Sequence, residues 1–218
     1  NQELFAQKIY KAQWPFLKDH SINGTPYVPG VMGIESFVEA AKVLGQNVKG
    51  FQDVHFSLPI KLLRMRDQEV MIKAKNEQGL VSFVLESDFI GSRGIKMGST
   101  RRHFDAKALT HYESNWQNVK DNIDFDNLIK SASNYRFKQE EIYQGMFHGP
   151  SFKVLDGIIQ ADGDQVLAVY QKPQAPLFAD GDKNLLSNPL LIEAAFQTCG
   201  YRDILVENKM TLPDYIGT

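Results

Sequence analysis

The stretch that decides the fold is Asp19-His20-Ser21-Ile22-Asn23-Gly24-Thr25-Pro26-Tyr27-Val28-Pro29-Gly30. Three residues separate His20 from Gly24, and four more separate Gly24 from Pro29. Glycine reaches backbone conformations closed to other residues, and proline holds φ near about −65°. Gly24 and Pro29 therefore mark the turns that carry the chain into its next element.

That element reads as a helix. Ile34, Phe37, Val38, Ala41 and Leu44 recur at the spacing of one helix face between Val31 and Leu44, and Gly45 ends the run. His20 thus lies just upstream of a helix N-terminus. The first N–H groups there, at Gly30 and Val31, have no partner within a helix and carry roughly half a positive charge. An unperturbed imidazole titrates near neutrality, so His20 is suited to take a proton beside a site that would steady developing negative charge. Read without its neighbours, His20 also fits a capping or core histidine.

Residues 51–104 read as β-structure. Val70, Ile72 and Ala74 alternate with Met71, Lys73 and Lys75, and after Gly79 the residues Val81, Phe83 and Leu85 alternate again, as in a hairpin with one wet face. Gly91 to Gly94 reads as a turn and Ile95 to Phe104 as a further strand. Residues 105–140 are polar. Asp121, Asp124 and Asp126 there lack the glycine and terminal glutamate of a calcium loop, so they read as a linker with a helix cap. The expected division is 1–110, a linker at 111–140, and 141–218. In the last part, Phe152 to Ile159 and Val166 to Tyr170 read as strands about the Asp162-Gly163-Asp164 turn. Pro189 then opens a second helix through Gln197.

The two helices repeat one another. Ile34-Glu35-Ser36-Phe37 aligns with Ile192-Glu193-Ala194-Ala195, which suggests a duplicated unit of one helix wrapped by antiparallel sheet. Only Met210 to Thr218 come after the second helix, too little to cover it. The expectation is that the natural polypeptide continues and that the second unit is incomplete at its C-terminus.

Composition excludes several classes. The 218 residues carry a formal net charge of −2, which argues against nucleic acid as the main partner, and 43% are hydrophobic, enough for a core. Arg101-Arg102-His103 reads as a solvated strand end. No apolar run reaches membrane-spanning length. The start, Asn-Gln-Glu-Leu, is neither a signal peptide nor an initiator methionine, so the chain is expected to be excised from something larger. The single cysteine, Cys199, lies in an apolar run and is expected to be a buried structural thiol. Its solitude fits a reducing, cytoplasmic setting. His20, His55, His103, His111 and His148 show no paired-ligand spacing, and no phosphate loop or dinucleotide fingerprint occurs. No metal is expected.

The histidine motif, with its leader Trp14-Pro15-Phe16-Leu17-Lys18-Asp19, resembles the His-x3-Gly-x4-Pro motif of dehydratase domains in polyketide synthases and related megasynthases. The variety it most resembles is that of the polyunsaturated fatty acid synthases. Three further segments support the resemblance. Glu193 and Gln197 match an Asp-x3-Gln pattern of the second helix, with glutamate in place of aspartate. Tyr143-Gln144-Gly145-Met146-Phe147-His148-Gly149-Pro150-Ser151-Phe152 resembles the Gly-Tyr-Gly-Pro-x-Phe region, with His148 where tyrosine is usual. Leu212-Pro213-Asp214-Tyr215-Ile216 resembles a Leu-Pro segment near the pocket. Together they span residues 14 to 216.

The resemblance implies an α+β double hotdog: two helices, each wrapped by antiparallel sheet, with His20 and Glu193 meeting between the halves. The substrate would be a β-hydroxyacyl chain on the phosphopantetheine arm of an acyl carrier protein. His20 would take the α-proton and the N–H groups of Gly30 and Val31 would hold the thioester oxygen. Glu193, its carboxyl pKa raised by burial among Ile192, Ala195 and Phe196, would protonate the leaving hydroxyl to give a trans-2-enoyl thioester. Gln197, His148, Gly149 and Pro150 would line the substrate site, and Gly24, Pro29, Leu212 and Pro213 would shape the backbone. The implied partners are the acyl carrier protein, neighbouring megasynthase domains and a second copy in a homodimer. No cofactor of the chain's own is implied. Three alternatives stay open: an enoyl isomerase, a product-template or cyclase-like domain, and a non-catalytic acyl-binding hotdog. Glu193 also admits a structural role, since Glu35 holds the equivalent place in the first helix. For His148 a polar strand-start residue is the other reading.

Overall fold

Tyr10, Phe37, Phe83 and Phe104, all buried, converge on one helix. In this computed structural model, which describes residues 2–91, 94–111, 130, 135–162, 165–182 and 184–217, that helix is α2, Gly30–Val43. It is preceded by β1 (Gln2–Tyr10), the single turn α1 (Pro15–Asp19), and the short strands β2 (Ser21–Ile22) and β3 (Thr25–Pro26). After it come β4 (Gly50–Phe56), β5 (Gln68–Glu77), β6 (Leu80–Ser87) and β7 (Arg101–Leu109). The chain forms two compact units. The first holds residues 1–111 together with Pro176–Pro189 and Pro213–Thr218.

The first unit is built on a six-stranded sheet of order β1-β5-β6-β7-β4-β11, in which β11 is Tyr215–Ile216. Every pairing in it is antiparallel. In β6 the buried residues are Val81, Phe83, Leu85 and Ser87, and in β5 Val70, Ile72 and Ala74, so one face of the hairpin is dry as its alternation predicts. Gln78 at φ 53° and Gly79 at φ 90° make the two-residue turn between them. The sheet meets α2 through Phe37, whose ring lies 5.5 Å from that of Phe83 and 6.1 Å from that of Phe51. Tyr10, from β1, shares a hydrogen bond with the Ser36 hydroxyl at 3.0 Å. Each such fully buried aromatic contributes roughly 1.5–3 kcal/mol by leaving water. This explains why α2 is buried nearly all round, from Val31 through Phe37. A strand at residues 2–10 was not foreseen; β1 is an edge strand, and Phe5 and Ile9 on its outer face are exposed.

The second unit comprises residues 112–175 and Leu190–Leu212. Its described elements are β8 (Phe137–Lys138), α3 (Gln139–Gly145), β9 (Leu155–Asp162), β10 (Gln165–Tyr170) and α4 (Pro189–Glu207, in this unit from Leu190). The sheet order is β10-β9-β8. Phe152, expected to open a strand, instead closes a 3-10 turn over residues 150–152, in which its N–H bonds back to the Gly149 carbonyl at 2.9 Å, and the strand starts at Leu155. On α4 the buried residues are Leu190, Glu193, Ala194, Gln197 and Tyr201, a single stripe at helical spacing. The short strand after α4 is not part of this sheet. Tyr215 and Ile216 pair with His55 and Val54 of β4. Asp121, Asp124 and Asp126 lie outside the described residues.

Candidate active site

In the first unit the site is built around a hairpin. α1 buries Phe16 and Leu17 and stops at His20. Phe16 N–H bonds to the Leu177 carbonyl at 3.1 Å, and the rings of Trp14 and Phe16 each sit 5.3 Å from that of Phe178. β2 and β3 then pair Ser21 with Pro26 and Ile22 with Thr25. Asn23 at φ 50° and Gly24 at φ 75° close the turn between them. Both central residues have positive φ, the conformation for which an Asn-Gly pair is favoured. The glycine of the motif is thus a hairpin glycine, and the hairpin brings Tyr27 back beside His20.

Two bonds hold that meeting. Tyr27 N–H donates to the His20 carbonyl at 2.9 Å, and His20 Nδ1 lies 2.9 Å from the Tyr27 carbonyl. A carbonyl oxygen can only accept, so Nδ1 carries the proton. The neutral ring then keeps its basic lone pair on Nε2. His20 is buried, at 8% exposure.

The N-terminus of α2 is shaped by two close approaches. A Cβ at Gly30 would come within 2.7 Å of the Phe56 ring, and one at Gly33 would overlap the ring of Phe104. These glycines let the sheet aromatics lie against the helix backbone. Met32 and Gly33 N–H groups bond to the Pro29 carbonyl at 3.0 and 3.3 Å. The N–H groups of Gly30 and Val31 precede that first helical bond, as the opening donors of a helix do.

In the second unit the polar side chains bond to one another. Gln197 lies one turn after Glu193 on α4 and donates Nε2–H to Glu193 Oε1 at 3.0 Å and to the Phe152 carbonyl at 2.9 Å. Tyr143, on α3, donates its hydroxyl hydrogen to Gln197 Oε1 at 2.7 Å and accepts Leu155 N–H at 2.9 Å. Burial pushes the Tyr143 hydroxyl pKa well above its ordinary value, so it stays a donor. His148 Nε2 lies 3.2 Å from Glu193 Oε1, with both side chains nearly buried. The His148 ring stacks on Phe147 at 4.2 Å between centroids.

Several sequence expectations change here. The surroundings of Glu193 are not the apolar ones expected: Ala195 is exposed, Ile192 and Phe196 are half-buried, and the carboxyl meets Gln197 and His148. The stripe of α4 turns Ala195 outward, two residues beyond Glu193. Cys199 is exposed rather than buried, for it falls on the same outward face. His103, read as part of a solvated strand end, is buried at 4% next to buried Phe104, where the β6–β7 register shifts and leaves His103 out of the pairing, and it shares a hydrogen bond with the Ser87 hydroxyl at 2.7 Å. Leu212 is 52% exposed, and Pro213 leads into β11. Tyr143 was not among the expected site residues. It stood in the quoted 143–152 stretch, but nothing in its spacing tied it to Gln197, which lies 54 residues on.

Glu35 answers the question its alignment raised. Its carboxylate, wholly buried on α2, accepts Leu186 N–H at 2.6 Å, Ser187 N–H at 2.9 Å and the Ser187 hydroxyl. It anchors the backbone of the segment just before α4.

A helix packed against the face of an antiparallel sheet defines a hotdog-type unit. Residues 1–88 match the family described as the polyketide synthase dehydratase domain. No curated protein matches the chain. Among solved structures, a trans-AT polyketide synthase dehydratase domain from Brevibacillus brevis is 18% identical, with a TM-score of 0.76 over 99% of this chain and 75% of its own. The dehydratase domain from the CurF module of the curacin polyketide synthase is 18% identical, with a TM-score of 0.76 over 100% of this chain and 77% of its own. The CurK dehydratase, 16% identical, has a TM-score of 0.73 over 100% of this chain and 75% of its own; its structure is of an inactive mutant with aspartate changed to asparagine. A second inactive mutant of that protein has histidine changed to phenylalanine. The double-hotdog, α+β fold is therefore that of polyketide synthase dehydratase domains.

Proposed function

We propose that this chain removes water from a β-hydroxyacyl thioester, with His20 as the base and Glu193 as the acid. The observation that carries the reading is the pair of bonds between His20 and Tyr27, which fixes the tautomer and leaves Nε2 as the basic nitrogen. Nε2 takes the α-proton. The N–H groups of Gly30 and Val31, at the positive end of α2, hold the thioester oxygen as it gains charge. Glu193 gives its proton to the departing hydroxyl, and the electron pair of the broken Cα–H bond forms the double bond. The carboxyl is on glutamate here, one methylene longer than the family's aspartate. Gln197 and His148 bond to it and hold it in place.

The elimination is redox-neutral, so it calls for no electron carrier. The thioester would arrive on the phosphopantetheine of an acyl carrier protein, within a polyketide or polyunsaturated fatty acid synthase of the cytoplasm. Gly149 and Pro150, which set the start of the turn bearing Phe152, would border the acyl chain.

The test offers the purified protein a β-hydroxyacyl thioester on a carrier protein and follows the loss of one water by mass. The expected outcome is loss with the wild type and a decrease of about 10²–10⁴-fold in rate with His20→Ala. No loss of water from the wild type would sink the dehydratase reading. Undiminished loss with His20→Ala would remove His20 from the mechanism.

A further inference from the structure

We infer that His148 is a positioning residue that fixes which oxygen of Glu193 carries the acidic proton; the inference rests on the dehydration proposed above. Two nitrogens converge on the same oxygen. Gln197 Nε2 is 3.0 Å from Glu193 Oε1, and His148 Nε2 is 3.2 Å from it. The orientation of Gln197 is not arbitrary. Tyr143 donates to Gln197 Oε1 at 2.7 Å, so the amide nitrogen must face Glu193 and the Phe152 carbonyl.

His148 is held as firmly. Its ring stacks on Phe147 at 24° between planes and stands 6.3 Å from the ring of Phe152. With Nε2–H donating, Oε1 receives two N–H groups and is the accepting oxygen of the carboxyl. The transferable proton then belongs to Oε2. Rotation of the carboxyl, which would exchange the two oxygens, has to break both bonds. Dehydration gains from this because a proton donor must point at the departing hydroxyl before the reaction begins.

A glutamate has one more rotatable bond than an aspartate, and so has more need of such a clamp. His148 stands where the family resemblance placed tyrosine. The two departures, Glu193 and His148, are 3.2 Å apart and read as one adjustment.

The test compares His148→Phe with His148→Gln in the full chain. Phenylalanine keeps the stack on Phe147 and removes the N–H; glutamine restores an uncharged N–H donor. The expected result is a kcat about tenfold lower with unchanged KM in His148→Phe, most of it regained in His148→Gln, and the same thermal midpoint in all three proteins. Equal rates in all three, or equal impairment of both variants, would overturn the inference while leaving the dehydratase reading intact. A readout independent of turnover is the infrared carbonyl band of the Glu193 carboxyl, in glutamate-labelled protein, identified by its disappearance in Glu193→Gln. If the wild type turns over no thioester, the band still decides: a shift in His148→Phe supports the clamp, and an unmoved band overturns it.

Discussion

Glu35 and Glu193 hold matching places in the two repeated helix segments, yet their carboxyls end on different kinds of partner. Glu35 accepts two backbone N–H groups and a hydroxyl from Leu186 and Ser187. Glu193 meets side chains: Gln197, itself oriented by Tyr143, and His148. The same contrast runs through the two units. In the first, His103 bonds to the Leu58 carbonyl at 3.0 Å and His20 to the Tyr27 carbonyl, so buried polar groups tie down main chain. In the second, polar side chains are linked in series. A duplicated helix can thus keep its glutamate and change its use. Backbone donors hold the Glu35 carboxylate, whereas side chains hold Glu193, the residue proposed above as the acid.

The sharpest way to break this comparison is to replace each glutamate in turn with glutamine. Glu193→Gln keeps the shape and the acceptor oxygen but cannot donate a proton to a leaving hydroxyl. Dehydration should fall by about 10²–10⁴-fold with little change in thermal midpoint. Glu35→Gln should do the reverse, losing stability while the rate per folded molecule stays within a few-fold. If Glu35→Gln lost as much rate as Glu193→Gln while remaining folded, the two glutamates would not have diverged.

The next effect in size is structural. Glu35→Ala strands two backbone N–H groups and a serine hydroxyl against a buried helix face. The expected cost is about 2–4 kcal/mol, read from urea unfolding of the two proteins. Third, Tyr143→Phe removes the donor that fixes Gln197 and the acceptor of Leu155 N–H. The amide is then free to turn, so the rate should drop by about tenfold, with a stability loss of about 1 kcal/mol. A Tyr143→Phe protein with full activity would show that Gln197 needs no orientation.

How much of this was legible in the sequence depended on whether a signal was local. The hairpin at β5 and β6 is explained by alternation and Gly79, and α2 by the spacing of Ile34, Phe37 and Ala41. His20 stood out because Gly24 and Pro29 lie at fixed offsets from it. Contacts closed over long separations left no such mark. Glu35 meets Ser187 across 152 positions, and Tyr143 meets Gln197 across 54. β11 completes a sheet begun more than two hundred residues earlier. Cys199 misled for a different reason: its apolar neighbours in sequence belong to several faces of α4, and the buried stripe passes through Gln197 and Tyr201 instead.

The smallest expected effect concerns His103, which tests the first unit's half of the contrast. Burial holds its imidazole pKa below the ordinary value, against the Leu58 carbonyl, which favours the charged ring. With Nδ1–H given to Leu58, Nε2 accepts from the Ser87 hydroxyl, an arrangement only the neutral ring can make. The unfolded chain therefore binds this proton more readily than the folded one. Above about pH 6.5 both states are neutral here and nothing is lost; as pH falls below that value, protonation favours the unfolded chain and stability declines. His103→Gln, which can still donate to Leu58 and accept from Ser87, should flatten the decline in urea midpoint between about pH 7 and pH 5. If the slope is the same with and without His103, the acid sensitivity belongs to another group, and the bonds of His103 to Leu58 and Ser87 do not set it.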